Sequence, residues 1–533
     1  MSAGASAQML ADGGNAVDAA VAGVFAACCC EPTLTGPGGA GFATVHMADG
    51  TDVAFDFFAA VPGIDRTIDT ATGPVAVDVL FGATTQTFHV GPQSCAVPGF
   101  VAGTMQMHER FGTLPLARVL EPAIALARDG VDITPEQSYC HSLLERIVTR
   151  HPQGSAVFAP EGTFLATGER FYQPQLADSL EQIVREGADT FYRGDIAKAI
   201  VDWSDQHGGL ISRTDLEQYR VCEHDPVRAH YRGLEFLSAP PPSSGGALIA
   251  YTLQLLDRVR DDKPIDLESA AGMAMFVAAM IASNGIRGAE FDTWLYGGGL
   301  VEWLMSDAVI ERGMELLHDA LATDTPRPGS RLGATTHHSV IDAHGNAVAI
   351  TTSTGCGSGE FVGSTGIHLN NMMGEEDLLP VEHTLVPGQR LTSMMSPSLM
   401  LADARPLLAT GSAGSNRIRS AIVQSLIRLL ESKHVGPERS LQERLDHAVQ
   451  AARVHAEAGT VHVEPGIADV AMQQLRDQQW HVNEWPDRNL FFGGVNMVAY
   501  NVDTGFASAS DERRGGGSWI VRSDGSLGDP RSR

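Results

Sequence analysis

The sequence predicts an α+β protein in which helices and antiparallel strands form separate layers. Two observations predict it. Residues 100–220 carry apolar residues mostly at helical spacing, whereas the chain from Thr335 onward changes to alternating strands. Nowhere do strands and helices alternate with the regular βαβ rhythm of a parallel sheet. At 533 residues the chain is long enough for two or more domains, or for one large composite core.

The elements follow in order. Gly13-Gly14-Asn15-Ala16-Val17-Asp18-Ala19-Ala20 opens a helix of small residues that runs to about Cys30. The seven cysteines are an odd number, no CxxC occurs, and Cys28-Cys29-Cys30 cannot bridge to one another comfortably. The triplet therefore reads as small buried helix residues, not as a disulfide framework or a zinc site. Gly36-Pro37-Gly38-Gly39-Ala40-Gly41 fits GxGxxG, but it follows a helix and leads into a strand-like run from Phe42 to Met47. That is the reverse of the strand-to-helix order of a dinucleotide fingerprint, so a close-packed glycine turn is expected. A helix from Leu116 to Arg128 stops at Gly130. Pro240-Pro241-Pro242-Ser243-Ser244-Gly245-Gly246 makes a rigid loop leading into an apolar helix from Ala247, and helices fill 266–320.

Asp324 to Gly333 is a polar linker with two Pro and two Gly. A strand then begins at Thr335. If Ala343-His344-Gly345-Asn346 is the turn, Asp342 pairs with Ala347, Thr336 lies opposite Ser353 and Thr335 opposite Thr354. A helix from Asn416 to Glu431 and strands near 495–510 complete the chain, which has no internal repeat and no low-complexity segment.

Composition narrows the function. Hydrophobic residues at 43% and charged residues at 19% are ordinary for a globular protein. The net charge of −27 argues against nucleic acid and anionic membranes as partners and leaves a small molecule as the expected one. No apolar run approaches the ~20 residues of a membrane span. The first thirty residues lack a basic start, and Asp12, Asn15 and Asp18 interrupt the apolar stretch, so a cytoplasmic protein is expected. No metal or cofactor is expected.

Thr335 and Thr336 alone read as ordinary β-branched strand residues, but Thr335 also suits the chemistry of an N-terminal nucleophile. A Thr hydroxyl is a weak nucleophile and needs an adjacent base. A newly exposed N-terminal α-amine has a pKa near 8, so a useful fraction is neutral at physiological pH, and it sits on the same residue as the hydroxyl. Before cleavage the same hydroxyl can attack the preceding carbonyl, giving an ester that water opens. An exposed linker just ahead of the scissile bond suits that processing. His337 is superfluous as a base in such a scheme and reads as structural, and His337-His338 lacks the i, i+4 spacing of a helical zinc pair.

Ordered matches along nearly the whole chain resemble the γ-glutamyltranspeptidase family. They are Gly13 to Ala20, Pro241-Pro242-Ser243-Ser244-Gly245-Gly246, Thr335-Thr336-His337, Gly363 to Asn371, Met395-Ser396-Pro397 and Thr410-Gly411-Ser412-Ala413-Gly414. The resemblance implies an N-terminal-nucleophile αββα sandwich of two antiparallel sheets flanked by helices. It implies cleavage between Ala334 and Thr335 into a large subunit, 1–334, and a small catalytic subunit, 335–533, which stay together as one composite domain. Relatives usually carry a little more sequence ahead of Met1. The family's GSxGG segment supplies oxyanion-hole N–H groups, and Gly414 and Ser415 inherit that role. Such donors are often the largest single catalytic contribution. Thr335, Ser353, Gly414 and Ser415 are thus the expected catalytic residues.

The sequence departs from the family where the substrate's amino-acid head group is held. The family's Asp-Phe-Arg reads Asp56-Phe57-Phe58. Its acid after Asn-Asn-x-Met is displaced into Gly374-Glu375-Glu376-Asp377, its Ser-Ser pair reads Ser393-Met394, and its Asn beyond the second strand is replaced around Thr354-Gly355. Phe58, Thr354, Glu375, Ser393 and Met394 are the expected substrate-binding residues. Losing a bidentate Arg–carboxylate contact leaves a substrate charge unpaired, unless Arg390 or Arg417 replaces it. The expectation is an acylase or amidohydrolase with altered acyl specificity. The alternatives are a conventional γ-glutamyltranspeptidase or glutathione hydrolase, a C–C bond hydrolase of the kind found in lincomycin or pyrrolobenzodiazepine biosynthesis, and a binding homologue without activity.

Overall fold

The computed structural model describes residues 1–66, 73–81, 84–259, 263–322, 335–379, 384–431, 439–457, 459–478 and 480–528. The 324–333 linker and Ala334 lie outside them. Two antiparallel sheets lie face to face. The first runs, in spatial order, Thr336–Ile341, Ala347–Ser353, Ala40–His46, Asp52–Phe57 and Cys222–His224. The second runs Gly505–Ser510, Gly494–Asn501, Arg405–Ala413, Ser398–Ala402, Leu234–Ser238 and Val227–Tyr231. Each sheet takes strands from both sides of Thr335.

Side-chain alternation sorts the core into layers. Ile341, Ala347, Ala349, Leu399, Leu401 and Ala409 fill the space between the sheets. On the outer face of the first sheet, Val340, Val348 and Ile350 pack against the Ala16–Cys30 helix and its neighbours. That helix is buried all round, and its start is fixed by a capping box between Asn15 and Asp18. Cys28, Cys29 and Cys30 are buried in its last turn, as the sequence predicts. The outer face of the second sheet is covered by the helices Gly245–Val259, Arg417–Glu431 and Leu441–Gln450, and Ala270–Gly285 packs against the first of these. The result is the helix–sheet–sheet–helix sandwich of the α+β expectation. Among the described residues, no single helix is long and apolar enough to cross a membrane.

The glycine turn before the Ala40–His46 strand is as tight as expected. A Cβ on Gly38 would come within 2.2 Å of the His368 carbonyl oxygen, and one on Gly39 within 2.3 Å of that of Ser353.

The hairpin register differs from the prediction by one residue. Ile341 faces Ala347, and Thr336 faces Thr352, not Ser353. The cause is the Asp342 side chain. Its Oδ1 accepts from the His344 and Asn346 N–H groups, at 2.9 and 3.0 Å, which draws Asp342 out of the ladder and into the turn. Continued outward, this register sets Thr335 level with Ser353 instead of Thr354.

Candidate active site

Thr335 stands immediately before the first strand of the first sheet and is only 4% exposed. Alternation puts it on the same face as His337, the face toward the second sheet. Both His337 ring nitrogens are occupied, Nδ1 by the Thr351 hydroxyl and Nε2 by the Ser339 hydroxyl, each at 2.8 Å. Burial holds the imidazole well below its ordinary pKa, with His338 adding to the effect. His337 is thus a neutral strut in the sheet, as expected.

One small cavity of about 30 Å³ brings together most of the predicted residues. Thr335, Ser353, Phe58, Glu375, Ser393, Met394 and Ser415 all line it. Thr335 also borders a second cavity of about 200 Å³, together with Glu31, Gln137, Asn496 and Arg514. There the neighbouring Thr336 hydroxyl donates to Glu31 Oε2 at 2.6 Å.

Several elements hold the small cavity's walls. Ser353 Oγ accepts from the Gly355 N–H at 2.8 Å. Phe58 is 1% exposed and stacks on Phe42, with centroids 5.2 Å apart. Its backbone is pinned at both ends: its N–H donates to Asp56 Oδ1 and its carbonyl accepts from the Tyr219 hydroxyl, each at 2.8 Å. The Pro-Pro-Ser-Ser-Gly-Gly loop clamps the Ser393–Met395 segment. The Ser244 N–H donates to the Ser393 carbonyl at 2.9 Å, and the Ser243 hydroxyl to the Met395 carbonyl at 2.6 Å. A Cβ on Gly245 would strike the Met394 carbonyl oxygen at 2.3 Å, so the loop approaches this closely only with glycine there.

Two predicted residues are not among those lining the cavity. Gly414 precedes Ser415 at φ +116°, where a Cβ would face Gly493 and Arg514. Thr354 is fully buried, with its methyl group facing Gly36. The one-residue register shift explains this: Ser353, level with Thr335, faces the cavity, and its neighbour points the other way. The cavity also includes Asp377, which sequence reasoning left among the displaced acids, and the apolar residues Met372, Leu378, Met395 and Ile418. The run of acids was a signal. The turn that aims Asp377 at Ser415, whose hydroxyl donates to Asp377 Oδ2, was not.

The electrostatics are one-sided. No Lys, Arg or His lines the cavity among the described residues. Arg390 donates to Asp56 Oδ2 at 3.2 Å and lies over the Tyr219 ring at 4.4 Å. Arg417 is fully buried; its Nε donates to the Phe491 carbonyl at 3.2 Å and its guanidinium covers the Phe491 ring. Neither is a cavity residue. Burial pushes Glu375 up to about 8, and the Asp377 charge adds to this against the pull of the Cys356 N–H. Burial also raises Asp377, opposed by the Ser415 hydroxyl and then Arg417. Glu375 therefore holds its proton at neutral pH.

One described group has metal-ligand chemistry: Asp56, Cys222 and His224, with ligand atoms within 4.8 Å of one another. The Arg390 guanidinium already sits against the Asp56 carboxylate, so the place of a cation is taken.

Comparison with known proteins agrees with this geometry. The family model described as Gamma-glutamyltranspeptidase matches residues 2–521. The "Acylase ACY 1 proenzyme" of Pseudomonas sp. (strain SE83) is 33% identical over 525 residues, 97% of this chain and 91% of that protein. The "Glutathione hydrolase proenzyme" of Escherichia coli (strain K12) is 32% identical over 450 residues, 79% of this chain and 75% of that protein. Among solved structures, a cephalosporin acylase from Bacillus halodurans superposes with a TM-score of 0.79 at 24% identity, covering 96% of this chain and 92% of that one, which establishes the shared fold. The chain belongs to the γ-glutamyltranspeptidase family and is a hydrolase or acyltransferase of that kind.

Proposed function

We propose that the chain is a self-processing amidohydrolase that works through an acyl-enzyme on Thr335 and takes an acyl group other than γ-glutamyl. The observation that carries this reading is the small cavity beside Thr335: Ser353 and Ser415 line it and no Lys, Arg or His does among the described residues, while Arg514 lines the other cavity that Thr335 borders.

Processing and turnover use the same hydroxyl. In processing, Thr335 Oγ attacks the Ala334 carbonyl carbon and the C–N bond breaks. The acyl chain then sits on Oγ as an ester, and the Thr335 amine is free. Water hydrolyses the ester, leaving a carboxylate on Ala334. In turnover, Oγ attacks the substrate amide carbon as its proton passes to the α-amine. The N–H groups of Gly414 and Ser415 stabilise the oxyanion. The proton moves to the departing amine, and an ester remains on Thr335. Water or an acceptor amine then attacks, giving up its proton to the α-amine and releasing the acyl group.

The cavity's charge supports the altered specificity. An α-carboxylate placed beside Glu375 and Asp377 would meet no Lys, Arg or His among the described residues lining that cavity. Phe58 and Met394 offer apolar surface in its place. The E. coli relative favours the second reading, a conventional glutathione hydrolase, and the same experiment separates the two.

Intact-mass analysis should show wild type as two chains of 334 residues and the remaining 199 of the 533. Thr335→Ala should stay whole and inactive. Wild-type protein should turn over a γ-glutamyl anilide slowly, without saturating at millimolar concentration. An active wild type that is never cut would overturn the Thr335 assignment. Saturation at micromolar γ-glutamyl anilide would make the conventional transpeptidase the right answer.

A further inference from the structure

Ser415 holds a backbone conformation that its side chain disfavours. Gly414 and Ser415 have φ of +116° and +51° in succession. Glycine reaches such angles freely, whereas a residue with a Cβ is penalised there. A non-glycine residue persists in this region when its surroundings hold it, and such residues concentrate at functional sites.

Three contacts hold Ser415. The Gly414 carbonyl accepts from the Arg417 N–H at 3.1 Å, and the Ser415 carbonyl accepts from the Ile418 N–H at 3.0 Å, both in the first turn of the Arg417–Glu431 helix. The third is the Ser415 hydroxyl, donated to Asp377 Oδ2. Asp377 is itself well anchored. It lies in the Glu376–Leu378 turn, where the Leu378 N–H donates to the Glu375 carbonyl at 3.0 Å. Glu375 Oε1 in turn accepts from the Cys356 N–H at 3.0 Å. The clamp thus links a loop of the second sheet to the segment that follows the Ala347–Ser353 strand.

We infer that Asp377 is a positioning residue: its carboxylate holds Ser415 in the left-handed conformation that keeps the Ser415 N–H turned toward the carbonyl attacked by Thr335. The inference rests on the acyl-transfer reading above. The φ of Ser415 sets how the Gly414–Ser415 peptide plane sits against the rest of the loop. If φ relaxes to a negative value, that plane turns and carries its N–H with it. A glycine at 415 would need no such clamp.

The test is a double-mutant cycle on Asp377→Ala and Ser415→Gly, with Asp377→Asn as the conservative variant and p-nitrophenyl acetate as the probe. Asp377→Ala should lower kcat at least ~10-fold, a partial loss beside the ~100-fold or more of a removed oxyanion donor, with KM changed less than about threefold. Asp377→Asn keeps an oxygen acceptor and should recover most of that loss. Within the Ser415→Gly background, Asp377→Ala should change kcat less than about threefold. An equal loss in both backgrounds would mean that Asp377 touches the substrate or merely supports the fold, and the inference would fall. An unchanged kcat in the Ser415 background would also overturn it. Crystal structures give a second readout that needs no turnover: in Asp377→Ala, Ser415 should leave positive φ. Ser415 staying near +51° there would remove the clamp. If wild type neither self-cleaves nor acylates, the Thr335 reading fails, and the φ of Ser415 still decides the clamp.

Discussion

Glu375 is a buried carboxyl group beside another carboxyl group, and that makes its proton part of the fold's stability. Burial first, and Asp377 second, push its pKa to about 8, against about 4.3 in an unfolded chain. Between those values the folded protein keeps a proton that the unfolded chain gives up. The stability this contributes is fully present below about pH 4 and is lost as pH rises through about 8. Glu375→Gln cannot ionise, so it should match wild type near pH 5 and melt at a higher temperature near about pH 9. Parallel melting curves across that range would show Glu375 ionised in the folded protein. The site was largely legible at this scale because its residues belong to short motifs: Thr335-Thr336-His337, the Asp-Phe-Phe sequence at 56–58 and Ser393-Met394. The Asp377–Ser415 contact was not legible. It joins two loops 38 positions apart, and no local pattern encodes their approach.

At the scale of elements, legibility depended on how local the cause was. The Ala16–Cys30 helix could be read because its capping box lies within four residues, Asn15 to Asp18. The hairpin register could not. The turn geometry depends on Asp342, whose Oδ2 also accepts from the Ala16 N–H at 2.9 Å, across 326 residues of sequence. That oxygen further accepts from Asn346 Nδ2 at 2.7 Å. One carboxylate therefore closes the hairpin next to Thr335 and meets the positive end of the buried helix. Asp342→Ala would leave these donors unpaired in a site that is only 6% exposed. The expected cost is about 3 kcal/mol, the scale for losing a hydrogen-bonded buried charge, and Asp342→Asn should cost less. Urea unfolding of the uncleavable Thr335→Ala protein is the cleanest measurement. A loss below about 1 kcal/mol would assign the register to strand pairing alone.

The whole molecule is built so that a cut before Thr335 divides the chain without dividing the core. The Ala347–Ser353 strand pairs with Ala40–His46 along its full length, from Ala347 against His46 to Ser353 against Ala40. In the second sheet, Ser398–Leu401 pairs with Glu235–Ser238. Each sheet thus crosses the proposed boundary through backbone hydrogen bonds, and the helix layers cross it too: Gly245–Val259 and Arg417–Glu431 pack into one apolar cluster. Neither fragment could keep its sheets alone, because each would expose bare strand edges and an apolar face. Cleavage should therefore change the covalent chain and leave the fold. The mature fragments should co-elute from gel filtration in native buffer, separate only in denaturant, and unfold in a single transition. That transition should lie within a few degrees of the uncut Thr335→Ala protein, since the cut removes little besides linker connectivity. Fragments that part in native buffer, or that melt at two separate temperatures, would mean that the boundary at Thr335 falls between two independent units, against the pairing of both sheets.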